Sequence, residues 1–349
     1  MNKDYIQHNL SYKTGRDAFV GSVEYLYTLP VKTTVKNIMA FEDKDKVFLQ
    51  TVYYFGESGL STSAGFTYSG PRFNRYFSDF IDKYNFSDMY SGGFYPFETS
   101  EEFWAYWSRY IYINRYMDPP KDTYKKLFEI VNDKDYFVIT TNVDHAFQKA
   151  GFEKERLFYT QGDYGLFQCS VPCHDSTYDN KESVVMMLQS QNFEISENGD
   201  LFIPDGKKAK MEVPASIIPC CPVCNEMITM NLRSDDLFVE DEGWFKAESR
   251  YEEFIAKHKN KRLLLLELGV GYNTPSIIMY NFCRMTDAWD NATYAVVNYG
   301  EAYVPSEIKP KSISIDGDID DVMSFLLSRL LYSAMCFFSW HCIDRLLKS

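Results

Sequence analysis

The sequence predicts an α/β fold: a parallel sheet with helices on both faces, interrupted by a helical insertion and by a second insertion rich in cysteine. Residues 136–141 and 263–268 are runs of aliphatic, aromatic and β-branched side chains without polar alternation, the pattern of strands buried on both faces. Residues 51–55 and 293–298 read the same way. Long intervals with helical periodicity separate the four, as parallel strands joined by crossovers require.

The first strand leads into Gly56-Glu57-Ser58-Gly59-Leu60-Ser61-Thr62-Ser63-Ala64-Gly65, a glycine- and serine-rich exit of the kind that cradles pyrophosphate. An aromatic segment, residues 76–117, follows. Its Phe103, Trp104, Trp107, Tyr110 and Ile111 recur at helical spacing, so it reads as a helical cap with its own core rather than a ligand cage. Residues 121–132 make a crossover helix, with Tyr124, Leu127, Phe128 and Val131 three and four apart. Residues 247–258 resemble another.

The strand at 136–141 ends in Asn142-Val143-Asp144. In an open parallel sheet, ligands bind outside the carboxyl ends of the strands, which places this amide and carboxylate to meet a polar ligand. Asn and Asp also make turns at strand ends, so alone the pair fits either role. The strand at 263–268 runs into Gly269-Val270-Gly271-Tyr272-Asn273-Thr274-Pro275. Glycines there let the backbone approach a ligand and its amides hold phosphate, although a plain tight turn would use the same residues.

Between the glutamine of Gln161-Gly162 and Asp241 lies a loop-rich stretch that carries five of the eight cysteines. Cys169 and Cys173 form one pair and Cys221 and Cys224 another, with 47 residues between the pairs. Four such thiolates can surround a zinc ion and supply folding energy that a small insert lacks; reduced thiols without metal are the alternative. Cys220 and His174 are spare ligands beside the site.

A net charge of −13 over 349 residues leaves no basic surface for a nucleic-acid backbone or an anionic membrane. The polar N-terminus predicts no secretory signal and a reducing cytoplasm. Residues 323–347 are apolar, but Arg329 and the Asp344-Arg345 pair cut their uncharged stretch below the roughly 20 residues of a bilayer span, so a buried closing helix is expected.

Taken in order, Gly59-Leu60-Ser61, Ser63-Ala64-Gly65, Thr141-Asn142-Val143-Asp144, Gln161-Gly162, the two cysteine pairs, Gly269-Val270-Gly271, Asn298 and Gly317-Asp318 resemble the NAD-dependent sirtuins. The longer strings Gly65-Phe66-Thr67-Tyr68-Ser69-Gly70-Pro71-Arg72-Phe73 and Gln161-Gly162-Asp163-Tyr164-Gly165-Leu166-Phe167-Gln168-Cys169-Ser170 are similar to the macrodomain-linked bacterial sirtuins of class M. The resemblance covers about residues 50 to 320.

The resemblance implies a Rossmann-like lobe from residues 1–161 and 242–349, with residues 72–120 as a helical insertion, and a small zinc-ribbon-like lobe from 162–241, with NAD between the two lobes. It also implies a protein ADP-ribosyltransferase acting on a lipoylated, glycine-cleavage-H-like protein, reversed by a macrodomain hydrolase. Asn142 would orient the ribose and the incoming nucleophile, Asp144 would contact the nicotinamide carboxamide, and Gln161 would steer the acceptor. Ser58, Gly59, Ser61, Gly65, Gly269 and Gly271 would bind the cofactor, Arg72 and Phe73 would cover it, Asn298 would hold the adenosine ribose, and Asp318 would lie near adenine.

Deacylating sirtuins have a histidine where this chain has Gln161. An amide has no protonation equilibrium near neutrality, so it can orient a group but cannot serve as general base. Deacylation should be weak, whereas loss of nicotinamide and capture of C1′ need only positioning and charge stabilisation. Glu57 stands where the family has glycine: turned inward it would oppose a pyrophosphate, turned outward it would leave the site usable. A degenerate nucleotide- or partner-binding protein and an NAD glycohydrolase are the competing functions.

Overall fold

The computed structural model describes residues 46–51, 59–271 and 277–329. Ser58, Glu57, residues 272–276 and the end of the closing segment lie outside the described residues. The chain divides into two compact units: Met1–Val52, Asp122–Val138 and Glu253–Ser349 in the first, Tyr53–Lys121 and Ile139–Glu252 in the second.

The first unit is built on parallel strands in the order Ser312–Asp316, Ala292–Asn298, Leu263–Leu268, Lys46–Thr51 and Phe137–Thr140, the division between units falling inside the last. Register runs through Val47 opposite Leu264, Leu265 opposite Tyr294, and Val297 opposite Ile315. All six residues of Leu263–Leu268 are buried, as expected of a run without polar alternation. Of the expected strand at 51–55, Thr51 belongs to the strand Lys46–Thr51, and residues 52–55 lie outside the described residues. Ser312–Asp316, missing from the sequence reading, is the edge strand that begins this order; Ile313 and Ile315 are buried while the alternating Ser312 and Ser314 are half-buried.

The crossovers are helical as predicted. Thr123–Val131 precedes Phe137–Thr140, and Met279–Ala288 links two strands while burying Met279, Phe282 and Thr286, three and four residues apart. Asp320 takes a hydroxyl bond from Thr123 and an ion pair from Lys126, both at 2.7 Å, and so fastens the first crossover to the helical residues 319–329. Among the described residues no helix is long and apolar enough to cross a membrane.

In the second unit the aromatic segment is helical, as expected: Pro71–Tyr84, Met89–Gly93, Ser100–Ile111 and a π-helical turn, Tyr112–Tyr116. Thr99 caps Ser100–Ile111 by accepting the Glu102 amide at 3.2 Å. Its core is continuous with that of the cysteine-bearing insert: Phe77, Tyr106 and Trp104 share it with Phe167, Met187 and Met230. Arg109, fully buried, joins the two parts. Its guanidinium pairs with Asp79 and donates to the Tyr76 and Lys210 carbonyls and to Gln191, which satisfies the fork on every side. The insert itself holds an antiparallel sheet, Tyr178–Asp179, Gly162–Cys169 and Ile228–Leu232 in that order, a helix Lys181–Ser190 and a hairpin Glu194–Ile195 with Leu201–Phe202.

Candidate functional site

In the first unit, three predicted cofactor segments meet at one edge of the sheet. Gly269-Val270-Gly271 follows Leu263–Leu268, Asn298 ends Ala292–Asn298, and Gly317-Asp318 follows Ser312–Asp316, so all lie at the carboxyl ends of neighbouring parallel strands. Side-chain bonds knit them together. Asn298 Nδ2 donates to the Val270 carbonyl at 2.8 Å, its Oδ1 accepts the Tyr299 amide at 2.9 Å, and the Gly317 amide donates to the Asn298 carbonyl at 3.1 Å. Gly269 is left-handed, with φ 69°, a conformation glycine takes without strain, and its amide donates to the Val297 carbonyl at 2.9 Å. Asp318 accepts the Asp321 amide and so caps the helix that begins at 319. A dipolar edge of this kind, glycine turn beside helix N-terminus, suits a phosphate-bearing ligand.

In the second unit, Asn142 and Asp144 are both buried just past the strand end. Between them stands Ser61, carried by the short helix Gly59–Ser63. Asn142 Nδ2 donates to the Ser61 oxygen at 3.1 Å, and the Ser61 hydroxyl donates onward to Asp144 Oδ2 at 2.5 Å. Asp144 Oδ1 accepts the Ala146 amide at 3.0 Å. Burial pushes the Asp144 carboxyl above its ordinary range, against the pull of these two hydrogen bonds. Lys149, on the following helical turn, is pushed down to about 8 by burial and donates to the Met117 carbonyl.

Gln161 is half-buried, and the bonds of its amide are long ones to Thr160, at 3.4 and 3.5 Å. The glycine after it has a steric cause. At Gly162, φ is 96° and an added Cβ would stand 1.9 Å from the Asn231 carbonyl oxygen. Gly65 is similar: φ is 95°, and a Cβ would meet the Pro120 ring at 2.7 Å. Arg72 donates to the Thr67 and Ile113 carbonyls at 3.1 and 2.6 Å and lies over the Phe66 ring, while Phe73 is buried in the helical core against Phe77.

The four predicted cysteines come together, with all their sulfurs within 4.8 Å of one another. Cys169 and Cys224 are 3.5 Å apart, and Cys173 and Cys221 3.7 Å. Zinc–sulfur bonds of about 2.3 Å set tetrahedral edges near 3.8 Å, so this donor set fits zinc. Cys220 stays outside the group, bridging to Met227, and His174 contacts Cys173 and Tyr178 instead.

Sequence reading missed three residues beside the Asn142–Asp144 turn. Asp163, two past Gln161, takes bonds from Arg115 and from His145, the residue after Asp144. The acid in Gln161-Gly162-Asp163 and the histidine in Val143-Asp144-His145 were the available signals.

No family model matches the chain. A protein ADP-ribosyltransferase of Staphylococcus aureus (strain Mu50) is 34% identical over 271 residues, covering 77% of this chain and 81% of that protein. The chain belongs to the protein ADP-ribosyltransferase family. Its motif strings resemble those of the NAD-dependent sirtuins. A probable bifunctional ADP-ribose hydrolase/ADP-ribosyltransferase of Fusarium oxysporum f. sp. cubense is 26% identical over 309 residues, and the transferase covers 49% of that longer protein with 85% of its own length. Among solved structures, a Sir2 mutant with p53 peptide and NAD matches at TM-score 0.48 and 16% identity, covering 84% of this chain and 98% of that one. Sir2 bound to acetylated peptide matches at TM-score 0.47 and 15% identity, covering 86% and 98%.

Proposed function

We propose that this transferase moves ADP-ribose from NAD to a lipoyl-carrying, glycine-cleavage-H-like protein in the cytoplasm, releasing nicotinamide, and that a macrodomain hydrolase reverses the modification. The observation that carries the transferase chemistry is the Asn142–Ser61–Asp144 chain of hydrogen bonds, together with Gln161, an amide that cannot act as a base, at the position where deacylating sirtuins have a histidine. A site of that kind can orient a ribose and stabilise charge as the glycosidic bond breaks, while lacking the base that deacylation needs.

In this reading Asn142 orients the ribose and nucleophile, Asp144 meets the nicotinamide carboxamide, and Gln161 steers the acceptor. Within the first unit, Gly269 and Gly271 hold phosphate, Asn298 the adenosine ribose, and Asp318 the adenine. Gly59, Ser61 and Gly65 complete the cofactor site of the second unit, with Arg72 and Phe73 in the covering segment. The carrier partner is supported by the class M strings, and the reversing hydrolase by the double name of the fungal relative.

Labelled NAD, incubated with the enzyme and a lipoylated carrier, tests this. Label on the carrier with equimolar nicotinamide supports the proposal. Free ADP-ribose alone indicates a glycohydrolase, and no consumption indicates a binding protein.

A further inference from the structure

Two segments carry the residues assigned to the reaction: the turn Asn142-Val143-Asp144 and the start of the strand Gly162–Cys169, just after Gln161. Both converge on the Asp163 carboxylate. Its Oδ1 accepts Arg115 Nε at 2.5 Å and the Gly165 amide at 2.6 Å; its Oδ2 accepts Arg115 Nη2 at 3.4 Å and faces His145 Nδ1 at 3.2 Å. A backbone bond runs parallel to this link, from the Tyr164 amide to the Val143 carbonyl at 2.9 Å.

Two features mark the arrangement as built rather than incidental. His145 holds a left-handed backbone, φ 64°, which costs a residue with a Cβ roughly 1–2 kcal/mol and persists only where surroundings impose it. Gly165 leaves the space that Arg115 occupies, since a Cβ there would lie 2.7 Å from Arg115 Nε. Burial alone would raise the Asp163 carboxyl, but the His145 hydrogen bond and the Arg115 charge outweigh it and hold the group ionised, below its ordinary range.

We infer that Asp163 is a positioning residue for ADP-ribosyl transfer: through His145 it fixes the turn bearing Asn142 and Asp144, and through Arg115 and its own strand it sets Gln161 against that turn. This rests on the proposed roles of Asn142, Asp144 and Gln161. A carboxylate that clamps both segments keeps the reacting groups in register, and a misplacement of about 1 Å in such a site costs on the order of a hundredfold in rate. The ring of His145 acts here as a hydrogen-bond donor on a left-handed turn. Asparagine, which tolerates that conformation and also carries an N–H donor, should substitute for it.

The test compares the full-length enzyme with Asp163→Asn, His145→Gly, His145→Asn and Asn142→Ala, measuring kcat and KM for NAD in transfer to the carrier, with melting temperature for each. Asp163→Asn and His145→Gly should lose about tenfold or more in kcat while KM for NAD stays within about twofold; His145→Asn should stay within about threefold of the parent. Parental kcat in both Asp163→Asn and His145→Gly, with Asn142→Ala inactive, overturns the inference. So does a His145→Asn enzyme as poor as His145→Gly, which would give the imidazole a chemical role of its own. Should Asp163→Asn fail to fold, the two His145 variants decide the matter. Full activity in Asn142→Ala would instead sink the assignment of the reacting residues.

Discussion

Ser61 donates its hydroxyl to Asp144 at 2.5 Å across 83 residues of sequence, and the same oxygen accepts the Asn142 amide. The serine therefore fixes the amide's rotation and favours the charged form of a carboxyl that burial pushes the other way. Ser61→Ala removes the hydrogen bond that opposes burial, so the Asp144 carboxyl should rise further. Transfer should fall by about ten- to a hundredfold near neutrality, and the acid limb of the pH–rate profile should move to higher pH. A profile superimposable on that of the parent would remove Ser61 from the site.

Cys169 and Cys221 are buried while Cys173 and Cys224 are exposed, so a chelator can reach a metal held by the four. Purified enzyme should contain about one zinc per chain, and Cys221→Ser or prolonged chelation should lower the melting temperature and loosen the insert. Metal analysis alongside calorimetry checks this. Parent enzyme that contains no zinc as purified, with a melting temperature that Cys221→Ser leaves unchanged, would argue for plain thiols.

Glu267 sits fully buried in the central Leu263–Leu268 strand, bonded by the Tyr294 hydroxyl at 2.7 Å, and burial pushes its carboxyl up to about 8. The folded chain thus binds this proton more tightly than the unfolded chain does. Its contribution to stability is complete below the unfolded value near 4.3 and declines as pH rises toward 8, by on the order of 1 kcal/mol per pH unit. Glu267→Gln should flatten that decline in urea unfolding measured from pH 5 to 8.5, and equal slopes for parent and variant would contradict the assignment.

Gly162→Ala should destabilise the second unit by about 3 kcal/mol or more, because its Cβ would overlap the Asn231 carbonyl oxygen at a left-handed position. Gly70→Ala, also at positive φ but with open space around its Cβ, should cost about 1–3 kcal/mol. Chemical denaturation of the two variants separates steric overlap from backbone strain.

The buried strands and the crossover helices were legible because their signal is local: consecutive apolar residues, or apolar residues three and four apart. The edge strand Ser312–Asp316 was legible in principle through its Ser-Ile alternation, but five residues half exposed are a faint pattern. The strand Lys46–Thr51 lies mostly before the expected 51–55, in a lead-in whose charged residues a buried-run criterion passes over.

For the site, sequence alone determined the chemistry of the groups: four thiols in two close pairs, an amide in place of a base at Gln161, an amide and an acid at a strand's carboxyl end. Only the tertiary structure decided which groups touch. That Ser61 lies between Asn142 and Asp144, that Gly162 is demanded by Asn231 on the paired strand, and that Asp163 binds Arg115 from 48 residues away are contacts between elements far apart in sequence. Residue type and spacing set what a group can do, whereas contacts between distant segments depend on the packing of whole elements, which no short run of residues encodes.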